Sequence, residues 1–181
     1  MKKVIKLCAM GLIITIVGSC GNQKNSTKPA DAENKIFQQE DGSISLQLEK
    51  AACYSDEANP SSNTAEWNIV VTKPGRYRVW LASATKDTTD LSYANSVRIS
   101  FLDNRIEGNP EIDKVVRNSS EVDYPFFRTD SYMGTFFIPE PGEYTIQIIS
   151  EKVISKESRT ADVSLSDNTR LMSLFLDPMT R

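Results

Sequence analysis

Residues 74–81 read PGRYRVWL and residues 141–148 read PGEYTIQI. No other feature constrains the fold as much. In each copy Pro and Gly fill the two central positions of a turn, where a type II turn wants a fixed negative φ followed by a positive one. An apolar strand precedes each turn, WNIVV at 67–71 and GTFFI at 134–138, and an alternating strand follows it. Both units therefore read as hairpins of one design. Further strand candidates are ISLQLEK at 44–50, SVRISFLD at 96–103, IDKVVR at 112–117 and RLMSLFLD at 170–177. No segment carries a helical period over three turns. Short strands parted by turn-rich loops predict an all-β chain, an antiparallel two-sheet β-sandwich of jelly-roll type. The two similar units lie far apart with nothing in phase between them, which argues against a solenoid.

Laying one copy on the other predicts which way side chains face. Tyr77 falls on Tyr144, Val79 on Ile146 and Leu81 on Ile148, all apolar and so core-facing. Arg78 falls on Thr145 and Trp80 on Gln147, so this set faces outward. Trp80 is then a large aromatic on the outside of a strand. Two readings stay open: a loop or the N-terminal segment covers it, or its flat indole is a platform for the apolar face of a pyranose ring. Trp67 shares a face with Ile69 and Val71 and reads as core.

The N-terminus carries MKK, the apolar run VIKLCAMGLIITIVG and then SCG. A basic start, an apolar stretch too short to span a bilayer and small residues after it predict a secretory signal over 1–19. The ending VGSC resembles a bacterial lipobox, which implies that Cys20 becomes the lipidated first residue. Several acyl chains on one cysteine anchor stably, whereas a single chain binds only marginally. Gly21 after the cysteine resembles the sorting pattern of an outer-membrane lipoprotein. Residues 20–35 are polar and lack a hydrophobic period, as a flexible tether would. The folded domain is expected over 36–181, long enough to bury a core without staples.

Composition then narrows the partners. All 24 acidic residues follow Cys20, while Lys2, Lys3 and Lys6 of the 21 basic residues leave with the signal, so the mature charge is 18 − 24 = −6. An acidic chain without a basic stripe argues against nucleic acid. The chain contains no histidine, which excludes Ser-His-Asp and Cys-His centres and histidine-ligated metal sites. With Cys8 removed and Cys20 lipidated, Cys53 is alone and reads as an inert, half-buried thiol. No catalytic motif is recognisable, and the chain is expected not to be an enzyme. A glycosidase built on paired carboxylates survives the histidine test, with Glu66, Asp90, Asp123 and Asp130 as candidates.

The series ISLQLEKA, AEWNIVVTKPGRYRVWLASA, YMGTFFIPEPGEYTIQI and DNTRLMSLFLDP resembles the galactose-binding-like β-sandwich. It is nearest in style to family 6 and family 35 carbohydrate-binding modules and to accessory modules of bacterial glycoside hydrolases. The resemblance spans nearly all of 40–178 as an order of elements. It implies a sugar cleft at the loop end, built from loop aromatics and an Asn before the last strand. Asn168 stands at that Asn position, and Tyr54 and Tyr132 at plausible aromatic positions. The stretch DYPFFRTDSY adds Tyr124, Arg128 and Asp130, aromatic and charged hydrogen-bonding groups of the kind a polyhydroxylated ring requires. Phe126 and Phe127 read as pinning that loop to the core; for Tyr124 and Tyr132 core packing and sugar contact both stay open. The family also implies a structural calcium between carboxylates of the first and last strands. Glu49 matches the first position, but Met172 and Ser173 stand where the last strand should supply Asp. Calcium prefers six to eight oxygens, so it would need Asp56, Glu57 or Asp177 as substitutes.

The expectation is a lipid-anchored protein of the bacterial envelope, in the outer membrane, whose non-catalytic β-sandwich holds a glycan through Trp80, Tyr54, Tyr124, Arg128, Asp130, Tyr132 and Asn168. An envelope protein that docks another protein is the alternative. Residues 152–168 read as a polar surface loop with a strand edge.

Overall fold

The computed structural model describes residues 35–154 and 168–179. The signal segment, Cys20 and most of the polar stretch 152–168 lie outside them. The strands are β1 (Lys35–Phe37), β2 (Ile44–Gln47), β3 (Ala52–Tyr54), β4 (Thr64–Val71), β5 (Gly75–Thr85), β6 (Val97–Phe101), β7 (Asn104–Gly108), β8 (Lys114–Val116), β9 (Phe127–Ile138), β10 (Gly142–Ile149) and β11 (Thr169–Pro178). They form a β-sandwich. The first sheet runs β1-β4-β10-β6-β7, with β3 also on β4, and the second runs β2-β11-β5-β9-β8. Pairing is antiparallel except for β1 beside β4. The edge of β4 is thus shared, with β1 along 68–70 and β3 along 64–66.

The two Pro-Gly units are not hairpins. β4 and β10 belong to the first sheet, β5 and β9 to the second, so each unit is a corner that carries the chain across the sandwich. The two corners lie side by side, because β4 pairs with β10 and β5 with β9; Gly142 stands opposite Val71 and Gly75 opposite Ile138. Each corner joins two strands that bury one face, and both faces point to the sandwich interior. Strands in that relation face one another across a core instead of pairing edge to edge. The glycines depart from the type II expectation too. Gly75 has φ +150°, but Gly142 has no positive φ.

The repeated tyrosine now has a cause. The Tyr77 hydroxyl donates to the Lys73 carbonyl, and the Tyr144 hydroxyl donates to the Glu140 carbonyl at 2.7 Å. In both copies the ring folds back over the corner and satisfies the carbonyl just before the proline, the arrangement of a tyrosine corner. Gln38 strengthens the first corner. Its amide nitrogen donates to the Gly42 carbonyl and reaches the Tyr77 hydroxyl at 2.6 Å, and its oxygen accepts from the Thr72 and Lys73 amides.

Between the sheets, Trp67, Ile69, Ile99, Phe101, Ile146 and Ile148 of the first meet Ile44, Leu46, Val79, Leu81, Phe136, Ile138 and Leu174 of the second, all buried. Trp67 is core as expected, its indole N–H donating to the Gln47 carbonyl at 2.8 Å. Tyr144 is only partly buried and leans on Phe101 at 5.4 Å. Toward one end the inner face of the second sheet turns to hydroxyls: Ser83, Thr85, Thr129 and Thr169 are buried, with Leu91 buried in the 86–96 loop and Tyr93 bonded to Ser83.

Candidate functional site

The outer face of the second sheet places Phe175, Trp80 and Tyr132 in one row across β11, β5 and β9. Phe175 stands opposite Trp80 and Trp80 opposite Tyr132. The Trp80 and Phe175 rings are nearly parallel, 7° apart with centroids at 6.1 Å, while Tyr132 tilts by 57° at 5.3 Å from Trp80. Trp80 is half-buried by these neighbours and Tyr132 remains 47% exposed. The outward reading of Trp80 holds, and what flanks it is the aromatic row itself, not a described loop.

Two local irregularities make this face. In β9, Phe136 and Gly134 point inward, so strict alternation would turn Tyr132 inward as well. Met133 is instead an extra residue, since Val79 pairs with Gly134 but Trp80 with Tyr132. A bulge re-aims the chain, and Tyr132 emerges on the outer face. Gly134 has φ +147°, and a Cβ there would meet Ile106 Cδ1 at 3.1 Å. The Tyr132 amide, freed from the ladder, donates to Asp113 Oδ2 at 2.6 Å. In β11 Met172 plays the same part, because Ser83 pairs with Leu171 and Ala82 with Ser173. That slip turns Arg170 outward.

Charged pairs border the aromatic row on both sides. One residue pair along the strands, Arg78 bridges to Asp177. On the other side Arg128 Nε donates to Asp130 Oδ1 at 2.9 Å, Arg128 also pairs with Glu121, and its guanidinium lies 5.7 Å over the Phe175 ring. Burial alone would lower the Arg128 pKa. The hydrogen bond and charge of Asp130, with those of Glu121, outweigh it and hold the guanidinium above its ordinary range.

Beyond Arg128 the same face opens into a cleft of about 690 Å³. It lies between the single 3-10 turn Leu48–Lys50 that follows β2, the start of β11 and the loop before β9, and its lining includes Glu49, Tyr124, Phe126 and Arg170.

Of the residues expected at the site, Trp80, Arg128, Asp130 and Tyr132 are brought together, and Tyr124 and Glu49 line the adjacent cleft. Arg128, Asp130 and Tyr132 are on strand β9, not on a loop as expected. Tyr54 is 61% exposed but pairs with Thr64 on the first sheet, on the opposite outer face. Asn168 is exposed at the boundary of the described residues, where its carbonyl accepts from the Lys86 amide at 2.8 Å. Phe126 is buried as expected, whereas Phe127 opens β9 opposite Thr85 and is 40% exposed. Glu49 belongs to the turn after β2, not to a strand end. Met172 and Ser173 do stand on β11 beside it, so the donors present do not fit a calcium site between those strands; among the described residues no three His, Cys, Asp or Glu side chains are grouped so as to hold a metal ion. The carboxylates of the enzyme alternative take these places. Glu66 sits on the first sheet beside Gln147, Asp90 Oδ1 accepts from the Ser92 amide, Asp123 lines the cleft and Asp130 pairs with Arg128. Phe175 went unrecognised, although Leu174 and Leu176 in RLMSLFLD, by alternation, already turn it outward.

No protein-family model matches the chain, and no curated protein matches it. Solved structures do. An α-L-fucosidase from Vibrio sp. strain EJY3 superposes with a TM-score of 0.63 at 23% identity, over 80% of this chain and 24% of that one. The chain thus spans about a quarter of that enzyme's length. Looser likenesses include a GH26-CBM35 β-(1,4)-mannanase from Podospora anserina (TM-score 0.45, 12% identity, 78% of this chain and 28% of that one) and the Cry4Aa toxin of Bacillus thuringiensis (0.49, 10%, 82% and 25%). At such identities what is shared is the fold.

Proposed function

We propose that this chain is a lipid-anchored envelope protein whose sandwich holds a glycan, without cleaving it, on the outer face of the second sheet. One observation carries the reading. The aromatic row Phe175–Trp80–Tyr132 is bounded on both sides by charged pairs, Arg78–Asp177 and Arg128–Asp130. A pyranose has apolar C–H faces and a rim of hydroxyls, and it matches aromatic rings set between hydrogen-bonding groups. A protein partner matches a continuous apolar patch better. Exposed Phe137 and Met179 flank Arg76 farther along the face and favour that second reading, but the Arg78–Asp177 pair separates them from the row. A fold shared with part of an α-L-fucosidase is compatible with work on sugars. Cys20 would carry the lipid, with the outer membrane as the destination.

Shallow sites of this kind bind on the order of millimolar to micromolar, roughly −4 to −8 kcal/mol. The test is retention of residues 21–181 on a glycan array and in glycan-containing gels. Wild type is expected to be retained by at least one glycan, and Trp80→Ala or Tyr132→Ala to weaken it by about tenfold or more, near 1.4 kcal/mol, with an unchanged circular dichroism spectrum. Retention on no glycan, or retention indifferent to both substitutions, would move the protein partner to the front.

A further inference from the structure

Tyr132 owes its place in the aromatic row to its backbone more than to its ring. The ring is 47% exposed and meets Trp80 at 5.3 Å, and its hydroxyl has no hydrogen-bond partner among the described residues. What turns it outward is the bulge at Met133. Because side chains alternate along a strand, shifting the extra residue by one place would set Met133, not Tyr132, opposite Trp80. Two neighbours mark where the bulge sits. On the far side, Ile106 of β7 fills the space that a Cβ on Gly134 would take, its Cδ1 lying 3.1 Å from that point. On the near side, Asp113 Oδ2 accepts the Tyr132 amide at 2.6 Å.

Asp113 stands where an edge runs out. The short strand β8 pairs Lys114–Val116 with Arg128–Asp130 of β9, and its ladder stops there. The Asp113 amide still donates to the Asp130 carbonyl at 3.2 Å. One step farther the strand offers Tyr132 no carbonyl, and the Asp113 carboxylate takes that role instead. A carboxylate accepts an amide more strongly than a neutral acceptor does. With its backbone on Asp130 and its side chain on Tyr132, Asp113 brackets the chain immediately before the extra residue. We infer that Asp113 is a positioning residue of the aromatic row: it pins the bulge and so keeps the Tyr132 ring beside Trp80, without touching the ligand itself. As to what the row binds, this rests on the glycan reading above. A ring held ready in this way spares the ligand the cost of ordering it.

The full chain, purified in detergent, would be compared with Asp113→Ala, Asp113→Asn, Tyr132→Ala and the Asp113→Ala, Tyr132→Ala double variant. Asp113 is exposed, so its replacement should leave the circular dichroism spectrum as it is. By NMR, Asp113→Ala should speed hydrogen exchange at the Tyr132 amide by about tenfold or more and weaken the ring contact with Trp80. Asp113→Asn keeps an acceptor oxygen and should recover most of both. In gels of galactan, mannan and xylan, Asp113→Ala should weaken retention by about fivefold. Once Tyr132 is alanine it should cost nothing further, because it acts through that ring. Unchanged exchange and ring contact in Asp113→Ala, an Asn variant as impaired as the Ala one, or an equal loss in the Tyr132→Ala background would overturn the role. Wild-type retention in none of the gels, with exchange and ring contact still answering to Asp113, would count against the glycan reading and leave the positioning of Tyr132 standing. Retention that depends on Tyr132 but not on Asp113 would do the reverse.

Discussion

At the scale of single residues, the buried hydroxyls under the 86–96 loop make stability depend on alkaline pH. Tyr93 places its hydroxyl in the interior, 3.0 Å from Ser83 Oγ. Burial raises its pKa above the ordinary value of about 10; the Ser83 bond works against this, and the charge of Glu151 adds to it. The folded state therefore keeps a proton that the unfolded chain releases. The contribution is present in full below pH of about 10 and is lost as pH rises beyond it. Tyr93→Phe should cost about 1 kcal/mol near neutrality, through the lost bond to Ser83. The gap between wild type and variant in urea unfolding should then narrow above pH of about 10. A gap that stays constant to the alkaline limit would mean that this hydroxyl is not shielded from water. Chemistry of this kind was not readable from the sequence. Tyr93 sits in the turn-rich stretch KDTTDLSYANS, and only the strands that outrun the first sheet give its hydroxyl an interior to occupy.

At the scale of elements, the two Pro-Gly corners look alike in sequence and differ in support. Tyr77 is buried, serves Lys73 and is held by Gln38, whereas Tyr144 is partly exposed and serves Glu140 alone. Tyr77→Phe should therefore cost about 2–3 kcal/mol, because it strands two partners in a half-buried setting, and Tyr144→Phe about 1 kcal/mol. Equal losses on chemical unfolding would show that the bond between Gln38 and the Tyr77 hydroxyl contributes nothing to the first corner. Alternation along β5 and β10 was legible, since Val79, Leu81, Ile146 and Ile148 went inward and Arg78, Thr145 and Trp80 did not. Corners and hairpins were not distinguishable. A turn residue reports its own backbone, while the choice between them is made by β9 pairing with β5 and β10 with β4, each across dozens of intervening residues. The bulges at Met133 and Met172 were equally hidden. One extra residue leaves no mark in composition, yet it decides that Tyr132 and Arg170 face outward. Tyr54, carried over from family resemblance, shows a related limit. It matched an order of elements, and order does not say which outer face a side chain reaches.

At the scale of the whole molecule, a weak site becomes useful when it is held in numbers at a surface. A shallow sugar contact at millimolar to micromolar affinity gains by linkage, because a second contact made by a neighbouring copy works at the effective concentration set by the tether. If Cys20 carries the lipid as proposed, residues 20–34 would reach at most about 50 Å when extended. That would be enough for several copies on one membrane to engage a single polysaccharide. On the proposed reading a lipid anchor would decide whether this happens, so Cys20 is the residue to change. In a bacterium with an outer membrane, the wild-type chain should partition into the detergent phase, and mass spectrometry should find an acylated N-terminal peptide beginning at Cys20. Cys20→Ser should move the protein to the soluble fraction, keep the sandwich folded, and lower its retention on polysaccharide surfaces while leaving the affinity for a single short oligosaccharide unchanged. An unacylated wild-type N-terminus, or a Cys20→Ser protein retained as strongly as wild type, would show that binding owes nothing to the membrane. Residence on a polysaccharide would then have to come from the aromatic face alone.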